Sequence, residues 1–97
     1  MNRVRASARE PEPREGRAPV NCFFVQIKSE LGRTYEVAAA LADREIASEI
    51  HSTSGTYDLL VKFYVPEGTD IGQFVADEVQ TLPGIRETFT IIAFRAF

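Results

Sequence analysis

The sequence predicts an α+β domain of the ferredoxin-like type, with the element order β-α-β-β-α-β. Four apolar segments with strand-like composition or alternation are separated by two segments with helical periodicity. The two middle strands follow each other across a short glycine-containing turn, which is typical of a β-hairpin. This order gives a four-stranded antiparallel sheet with both helices packed on one face.

The first half of the folded region supplies one strand and one helix. Residues 20–28 are apolar, β-branched or aromatic, which favours a strand. Residues 33–43 favour a helix, because their apolar side chains recur at i, i+3, i+4 and i+7, at Thr34, Val37, Ala38 and Leu41. Four alanines between residues 38 and 42 favour the helix, and their small side chains permit the helix to lie close to the sheet.

The hairpin comes next. Residues 45–53 alternate, with Ile46, Ser48, Ile50 and Ser52 on one side. Ser54, Gly55 and Thr56 form the turn, where Gly55 permits a positive φ. Residues 57–65 form the second strand, with an apolar face made by Tyr57, Leu59, Val61, Phe63 and Val65.

The last helix and strand complete the order. Thr69 or Asp70 can cap the helix, because either side chain can accept from free N–H groups of the first turn. The apolar stripe is Ile71, Phe74, Val75, Val79 and Leu82, and Pro83-Gly84 ends the helix. Residues 85–94 form the last strand, with Phe89 and Ile91 on one face and Thr88, Thr90 and Ile92 on the other.

Length and charge restrict the class of protein. A chain of 97 residues favours a single domain, here residues 20–97. Residues 1–19 contain five arginines and almost no large apolar side chains, which predicts a flexible tail; an arm for an anionic partner is the alternative. The net charge of −3 argues against direct binding of nucleic acid, which usually needs a basic surface.

Several further classes of site are not predicted. Cys22 is the only cysteine, so an intrachain disulfide is excluded, and its apolar surroundings favour a buried, inert thiol. Glu49 and His51 share a strand face, but a zinc site needs three or four ligands. We therefore expect no metal and no cofactor. The sequence shows neither a membrane-spanning apolar stretch nor a secretory signal, so we expect a cytoplasmic protein.

One face of the sheet has no helix to cover it in a single chain. Leu60, Tyr64 and Ile92 are its expected occupants, and an apolar face of this size usually marks an interface. The sequence therefore predicts a homodimer that packs sheet against sheet.

The stretch EIHSTSGTYDLLVKFYVPEG resembles the middle of the Lrp/AsnC effector domain. That pattern consists of a polar strand end, a glycine turn, an aromatic residue, an aspartate and an apolar strand. The flanking segments FFVQIKSELGRTYEVAAAL and FVADEVQTLPGIRETFTIIAF are also similar to the family. The resemblance covers residues 22–94.

The resemblance implies a dimeric α/β-barrel-type assembly whose dimers join into a ring such as an octamer. It also implies an effector that is an amino acid or a similar metabolite. The implied ligand-binding residues are Ser52, Thr53, Ser54, Gly55, Thr56, Tyr57, Asp58, Thr90 and Ile92. Asp58 would accept from the ligand ammonium group; the alternatives are an ion pair with Lys62 or hydrogen bonds to N–H groups of the turn. Gly55 would present backbone N–H groups to a carboxylate; the alternative is a glycine that the turn geometry requires.

Residues 1–19 are too few for the winged helix-turn-helix that usually precedes this domain, so we expect a stand-alone effector domain. The sequence has no Gly-rich phosphate loop, nucleophile elbow or paired catalytic carboxylates, so we expect no enzyme. Two other functions stay open. The first is a small dimeric α/β-barrel enzyme, similar to a cofactor-free monooxygenase, because this fold order serves many functions. The second is a structural partner that assembles with full-length Lrp/AsnC regulators and needs no ligand.

Overall fold

The computed structural model describes residues 20–95 and 97, and it confirms the predicted order of elements. The elements are β1 (Val20–Ser29), α1 (Thr34–Arg44), β2 (Glu49–Ser52), β3 (Leu59–Pro66), α2 (Ile71–Phe74, continued by a π-helical turn over Val75–Val79) and β4 (Ile85–Ile92). The predicted tail, residues 1–19, lies outside the described residues.

The four strands form one antiparallel sheet in the order β2-β3-β1-β4, so β1 and β3 occupy its centre. Alternate residues of both central strands are buried under the helices. The rings of Phe23 and Phe63 stack with centroids 5.1 Å apart, and Phe74 of α2 packs edge-on against both. The core therefore lies on one face of the sheet, and it is completed by Val25, Ile27, Val37, Leu41, Ala47, Leu59, Val61, Val65, Val75, Val79 and Leu82.

Strand β2 is shorter than the alternating pattern of residues 45–53 predicts. Glu45 has a φ of 57° and ends α1 with a hydrogen bond from its N–H to the carbonyl oxygen of Ala42. Ala47 and Ser48 are buried beneath this connection, so regular pairing starts only at Glu49. A residue in the left-handed conformation after a helix satisfies the last carbonyl groups of that helix. Here the end of α1 and its connection therefore take up the first residues that the alternating pattern assigns to the strand.

The cap of α2 is Asp70, one of the two predicted candidates. Its Oδ1 accepts from the backbone N–H of Gln73 at 3.1 Å, whereas the Thr69 hydroxyl donates to the Pro66 carbonyl oxygen. The helix then widens, because the Gln80 N–H bonds to the Val75 carbonyl oxygen five residues earlier. The predicted apolar residues pack on the core, but Leu82 lies beyond the helix, which ends at Val79 and not at Pro83-Gly84 as predicted. The widened turn has no signal in the hydrophobic pattern.

The register of β4 corrects the prediction for Ile92. Residues directly opposite each other in an antiparallel pair point to the same face. Ile92 lies opposite Phe23, which is fully buried under the helices, whereas Ile91 lies opposite Phe24 on the open face. The expectation that Ile92 lies on the open face is wrong, and Phe89 and Ile91 take that place. Alternation separates the two sets, but both contain apolar residues, so it does not tell which set faces the helices.

Candidate functional site

The connection between β2 and β3, residues 53–58, forms a compact loop. The backbone N–H of Thr53 donates to the carbonyl oxygen of Asp58 at 2.9 Å, and the Thr53 hydroxyl donates to the carbonyl oxygen of Tyr57 at 3.1 Å. Gly55 has a φ of 100°, and an added Cβ would meet no atom within 4 Å. The backbone conformation alone therefore requires glycine there, which supports the turn-geometry alternative.

Asp58 fixes this loop to the end of β1. Its Oδ2 accepts from the backbone N–H of Ser29 at 2.8 Å and from the Ser29 hydroxyl at 3.1 Å. The Ser29 hydroxyl also lies 2.6 Å from Thr34 Oγ1 in the first turn of α1. The chain of contacts from Asp58 through Ser29 to Thr34 thus joins the loop, the central strand and the helix.

These contacts define the structural role of Asp58. The alternative of an ion pair with Lys62 is wrong, because the Lys62 ammonium lies instead 3.8 Å from a carboxylate oxygen of Glu49. The N–H group that donates to the Asp58 carboxylate belongs to Ser29, 29 residues away in the sequence, and not to the turn. Contact with a ligand stays a prediction, and it would use Oδ1, which makes neither of the two bonds to Ser29.

We expect these bonds to make stability depend on pH. The Ser29 N–H lowers the pKa of Asp58, followed by the Ser29 hydroxyl and, more weakly, by the charge of Lys28. A carboxyl whose pKa is lower in the folded state stabilises the fold above its unfolded pKa of about 4, and this contribution is lost as pH falls through the folded value. The midpoint of urea unfolding should therefore fall on acidification below about pH 5. Asp58→Asn should lose part of that dependence, and an unchanged pH profile would contradict the assignment.

Two further contacts hold the loop against the sheet. The ammonium of Lys28 donates to the carbonyl oxygen of Thr56 at 3.0 Å. The ring of Tyr57 stacks on Phe89 of β4, with centroids 6.2 Å apart and an interplanar angle of 26°. Phe89 was not among the predicted site residues, although its alternation with Ile91 already placed the two on one face. The loop is therefore attached directly to β1 and β4, and through Ser29 to α1.

The structure brings most of the predicted ligand-binding residues together. Those from 52 to 58 are contiguous, and residues 52–56 are exposed. Thr90 and Ile92 lie further along β4, opposite Val25 and Phe23 and on the helix side of the sheet. Ile92 pairs with Phe23 of β1, whereas Ile27 of β1 pairs with Leu59, the residue that follows the loop. Phe23 and Ile27 are four residues apart, which corresponds to about 13 Å along the strand. A single copy therefore does not place Ile92 beside the loop.

The open face of the sheet, opposite the helices, is apolar on the side of β4 and charged on the side of β2. Leu60 and Tyr64 lie on it as predicted, and both are half-buried. Phe89 and Ile91 are 52% and 40% exposed, which is high for aliphatic and aromatic residues of a regular strand. The remaining residues of this face in β1 are Cys22, Phe24, Gln26 and Lys28.

Lys62 marks the charged side of the open face. Its ammonium lies 5.2 Å from the ring centroid of Tyr64 and 5.9 Å from that of Phe24, within cation–π range. The hydrogen bond with Tyr64 raises the pKa of Lys62, although burial opposes this. Burial raises the pKa of the nearby Cys22 thiol, which favours the inert form over a thiolate nucleophile.

Glu49 and His51 lie beside Lys62 on the edge strand β2. His51 Nε2 is 3.0 Å from Glu49 Oε1, and this hydrogen bond is the main reason why the pKa of Glu49 is lowered. Within residues 20–95 and 97, no three His, Cys, Asp or Glu side chains gather as metal ligands. None of the helices in the same residues is long and apolar enough to cross a membrane.

Comparisons with known proteins agree on one family. A family model described as the Lrp/AsnC ligand binding domain matches residues 22–97. The HTH-type transcriptional regulator FL11 of Pyrococcus abyssi is 32% identical over 72 residues, which cover 74% of this chain and 47% of that protein. FL11 of Pyrococcus horikoshii is 31% identical over the same shares. The chain thus spans about half the length of the curated relatives it matches.

Solved structures give the same fold. The crystal structure of FFRP-DM1 superimposes with a TM-score of 0.66 and 30% identity, covering 76% of this chain and 99% of that chain. TTHA0845 from Thermus thermophilus has a TM-score of 0.67 and 28% identity, covering 79% and 96%. AsnC of E. coli shares the fold, with a TM-score of 0.61 at 24% identity, over 79% of this chain and 52% of that one.

Proposed function

Because this chain belongs to the Lrp/AsnC ligand-binding domain family, we propose that it is a self-associating effector domain that binds an amino acid. The relatives that it matches are named as transcriptional regulators, so we propose a regulatory role and no catalytic one. The observation that carries the proposal is the loop of residues 53–58. It is attached directly to β1 and β4, and through Ser29 to α1, yet it presents its hydroxyls and its glycine backbone to the outside.

The chemistry of the loop suits a zwitterion. Asp58 keeps its negative charge to low pH, because its pKa is lowered, and its Oδ1 could accept from an ammonium group. The hydroxyls of Ser54 and Thr56 and the backbone near Gly55 supply polar partners for a carboxylate. Since residues 52–56 are exposed in one copy, a neighbouring copy must close the site. Ligand binding and assembly are therefore coupled in this proposal.

We propose that two copies first meet through their open sheet faces. An apolar face with Phe89 and Ile91 half exposed is costly in water, and a chain of this length gains stability from covering it. Residues 1–19 are a poor cover, since their only large aliphatic side chains are Met1 and Val4. A second copy offers a matching apolar surface by symmetry. The dimers would then join into a closed ring such as an octamer.

Binding of free amino acids should raise the thermal midpoint of the 97-residue chain. A ligand at a hundredfold its dissociation constant adds about 2.7 kcal/mol, which raises Tm by about 11–22 °C for a domain of this size. Asp58→Asn should weaken the binding at least about tenfold by removing a charged acceptor. The experiment is thermal unfolding against a panel of the twenty amino acids, confirmed by calorimetry.

Asp70→Asn is the matched control, because Asp70 caps α2 and is remote from the loop. It should lower Tm slightly but leave the ligand-induced increase intact. If no amino acid raises Tm, the proposed ligand class is wrong. If a ligand binds equally to the Asp58→Asn variant, Asp58 is only a structural residue.

A further inference from the structure

Two pairs of large apolar side chains have no role in the proposed sheet-to-sheet contact. Leu31 and Tyr35, in the turn before α1 and its first turn, are 101% and 84% exposed. Phe94 and Phe97, which follow β4, are 94% and 109% exposed. Exposed aliphatic and aromatic side chains are common when single, but clusters of them usually mark contacts. We call the first pair the acceptor pair, and we call Phe94, Arg95 and Phe97 the C-terminal arm.

The arm and the acceptor pair lie at opposite ends of the same sheet. The last ladder bond of β4 joins the N–H of Ala93 to the carbonyl oxygen of Cys22, so the arm leaves the sheet where β1 begins. The acceptor pair follows Ser29, where β1 ends. The arm cannot bridge this distance within one chain. From Phe23, opposite Ile92, to Ser29 the strand rises about 20 Å, whereas the five residues after Ile92 span at most about 17 Å and would have to reverse direction.

We propose that the C-terminal arm of one copy seats on the acceptor pair of a second copy. The inference rests on the self-association proposed above and adds a second contact to it. When two sheets pack face to face about a two-fold axis that runs across the strands, the start of β1 in one copy lies over the end of β1 in the other. The arm of each copy is then delivered to the acceptor pair of its partner, and the exchange occurs twice.

Charge supports the same pairing. Glu30 and Glu36 flank the acceptor pair, and among residues 20–95 and 97 the cation that contacts both is Arg33, at 2.9 and 2.7 Å. The acceptor pair therefore lies among two carboxylates and one guanidinium, with a net negative charge. The arm carries Arg95, whose guanidinium lies 5.7 Å from the ring centroid of Phe97. The Arg95 guanidinium complements the excess carboxylate of the acceptor patch, and the two aromatic rings of the arm complement its two apolar side chains.

The experiment uses a single indole as a reporter, because the chain has no tryptophan. Phe97→Trp should show blue-shifted emission in the assembled protein, since its indole would be seated on the partner. Adding Leu31→Ser and Tyr35→Ser to the same chain should remove that shift. These two side chains are exposed, so their replacement should leave the fold intact.

Mixing distinguishes a contact between copies from one within a chain. The triple variant, which carries the reporter but no acceptor pair, is mixed with an excess of wild-type chain and left to exchange subunits. Recovery of the blue shift is expected, because wild-type partners supply the acceptor pair. An emission that is insensitive to the acceptor substitutions, or that fails to recover on mixing, would overturn the proposal.

Sedimentation of the same samples separates this inference from the proposed function. An assembled protein whose indole emits as a fully exposed group refutes the arm contact and leaves the sheet-to-sheet dimer standing. A chain that stays monomeric at all concentrations refutes both.

Discussion

Replacing Ile91 with aspartate is expected to dissociate the proposed sheet-to-sheet dimer while leaving the monomer folded. Ile91 is 40% exposed and lies on the open face opposite Phe24, so the substitution costs little in a single copy. In the dimer, two-fold symmetry would bury the new carboxylate twice without a partner, and each burial costs several kcal/mol. A loss of about 4 kcal/mol or more corresponds to dimerisation at least about 1000-fold weaker. A concentration series by sedimentation equilibrium measures it.

The matched control is Ile92→Asp, the same change at the next residue. Ile92 is 49% exposed but faces the helix side of the sheet, so dimerisation should stay close to that of the wild type. The pair of variants thus tests the register of β4 as well as the interface. If Ile92→Asp dissociates the dimer and Ile91→Asp does not, the interface lies on the other side of the molecule.

Phe63→Ala is expected to have the largest effect on the stability of the fold itself. Phe63 is fully buried in the central strand β3, where its ring contacts the rings of Phe23 and Phe74. Truncation leaves a cavity lined by these groups and removes the aromatic contacts, at a cost of about 3–5 kcal/mol. The measurement is urea unfolding in the Ile91→Asp background, because dimerisation would otherwise add a concentration-dependent contribution to stability.

Tyr35→Ala in the same background is the control for Phe63→Ala. It also removes an aromatic ring, but one that is 84% exposed, so the free energy of unfolding should change by less than about 0.5 kcal/mol. Equal effects of the two substitutions would mean that Phe63 is not at the centre of the core.

The order of elements and the core could be predicted from the sequence because they depend on local periodicity. Strand β3 alternates without interruption, and α1 repeats its apolar residues at helical spacing. The limits of β2 depend on a different kind of information. The left-handed conformation of Glu45 and the burial of Ser48 follow from how α1 meets the sheet, which no local pattern records. The π-helical turn of α2 is likewise set by packing.

The candidate site was only partly predictable for the same reason. Residues 52–58 are adjacent in the chain, so their grouping follows directly from the hairpin. The partner of Asp58 does not, because Ser29 is 29 residues away and any of several polar groups could have occupied that position. The register between β1 and β4 is fixed only when the two strands pair. This register determines on which face of the sheet Ile92 lies and whether Phe89 stacks on Tyr57.

The two rims of the sheet differ in a way that bears on how the protein would aggregate. On one rim β2 is four residues long and carries charged and polar groups, which discourage the addition of foreign strands. On the other rim β4 offers eight residues with exposed Phe89, Ile91 and Ile92, and no other strand within residues 20–95 pairs with its outer edge. Misassembly into fibrils would therefore begin at β4, and a charge on this strand would slow it.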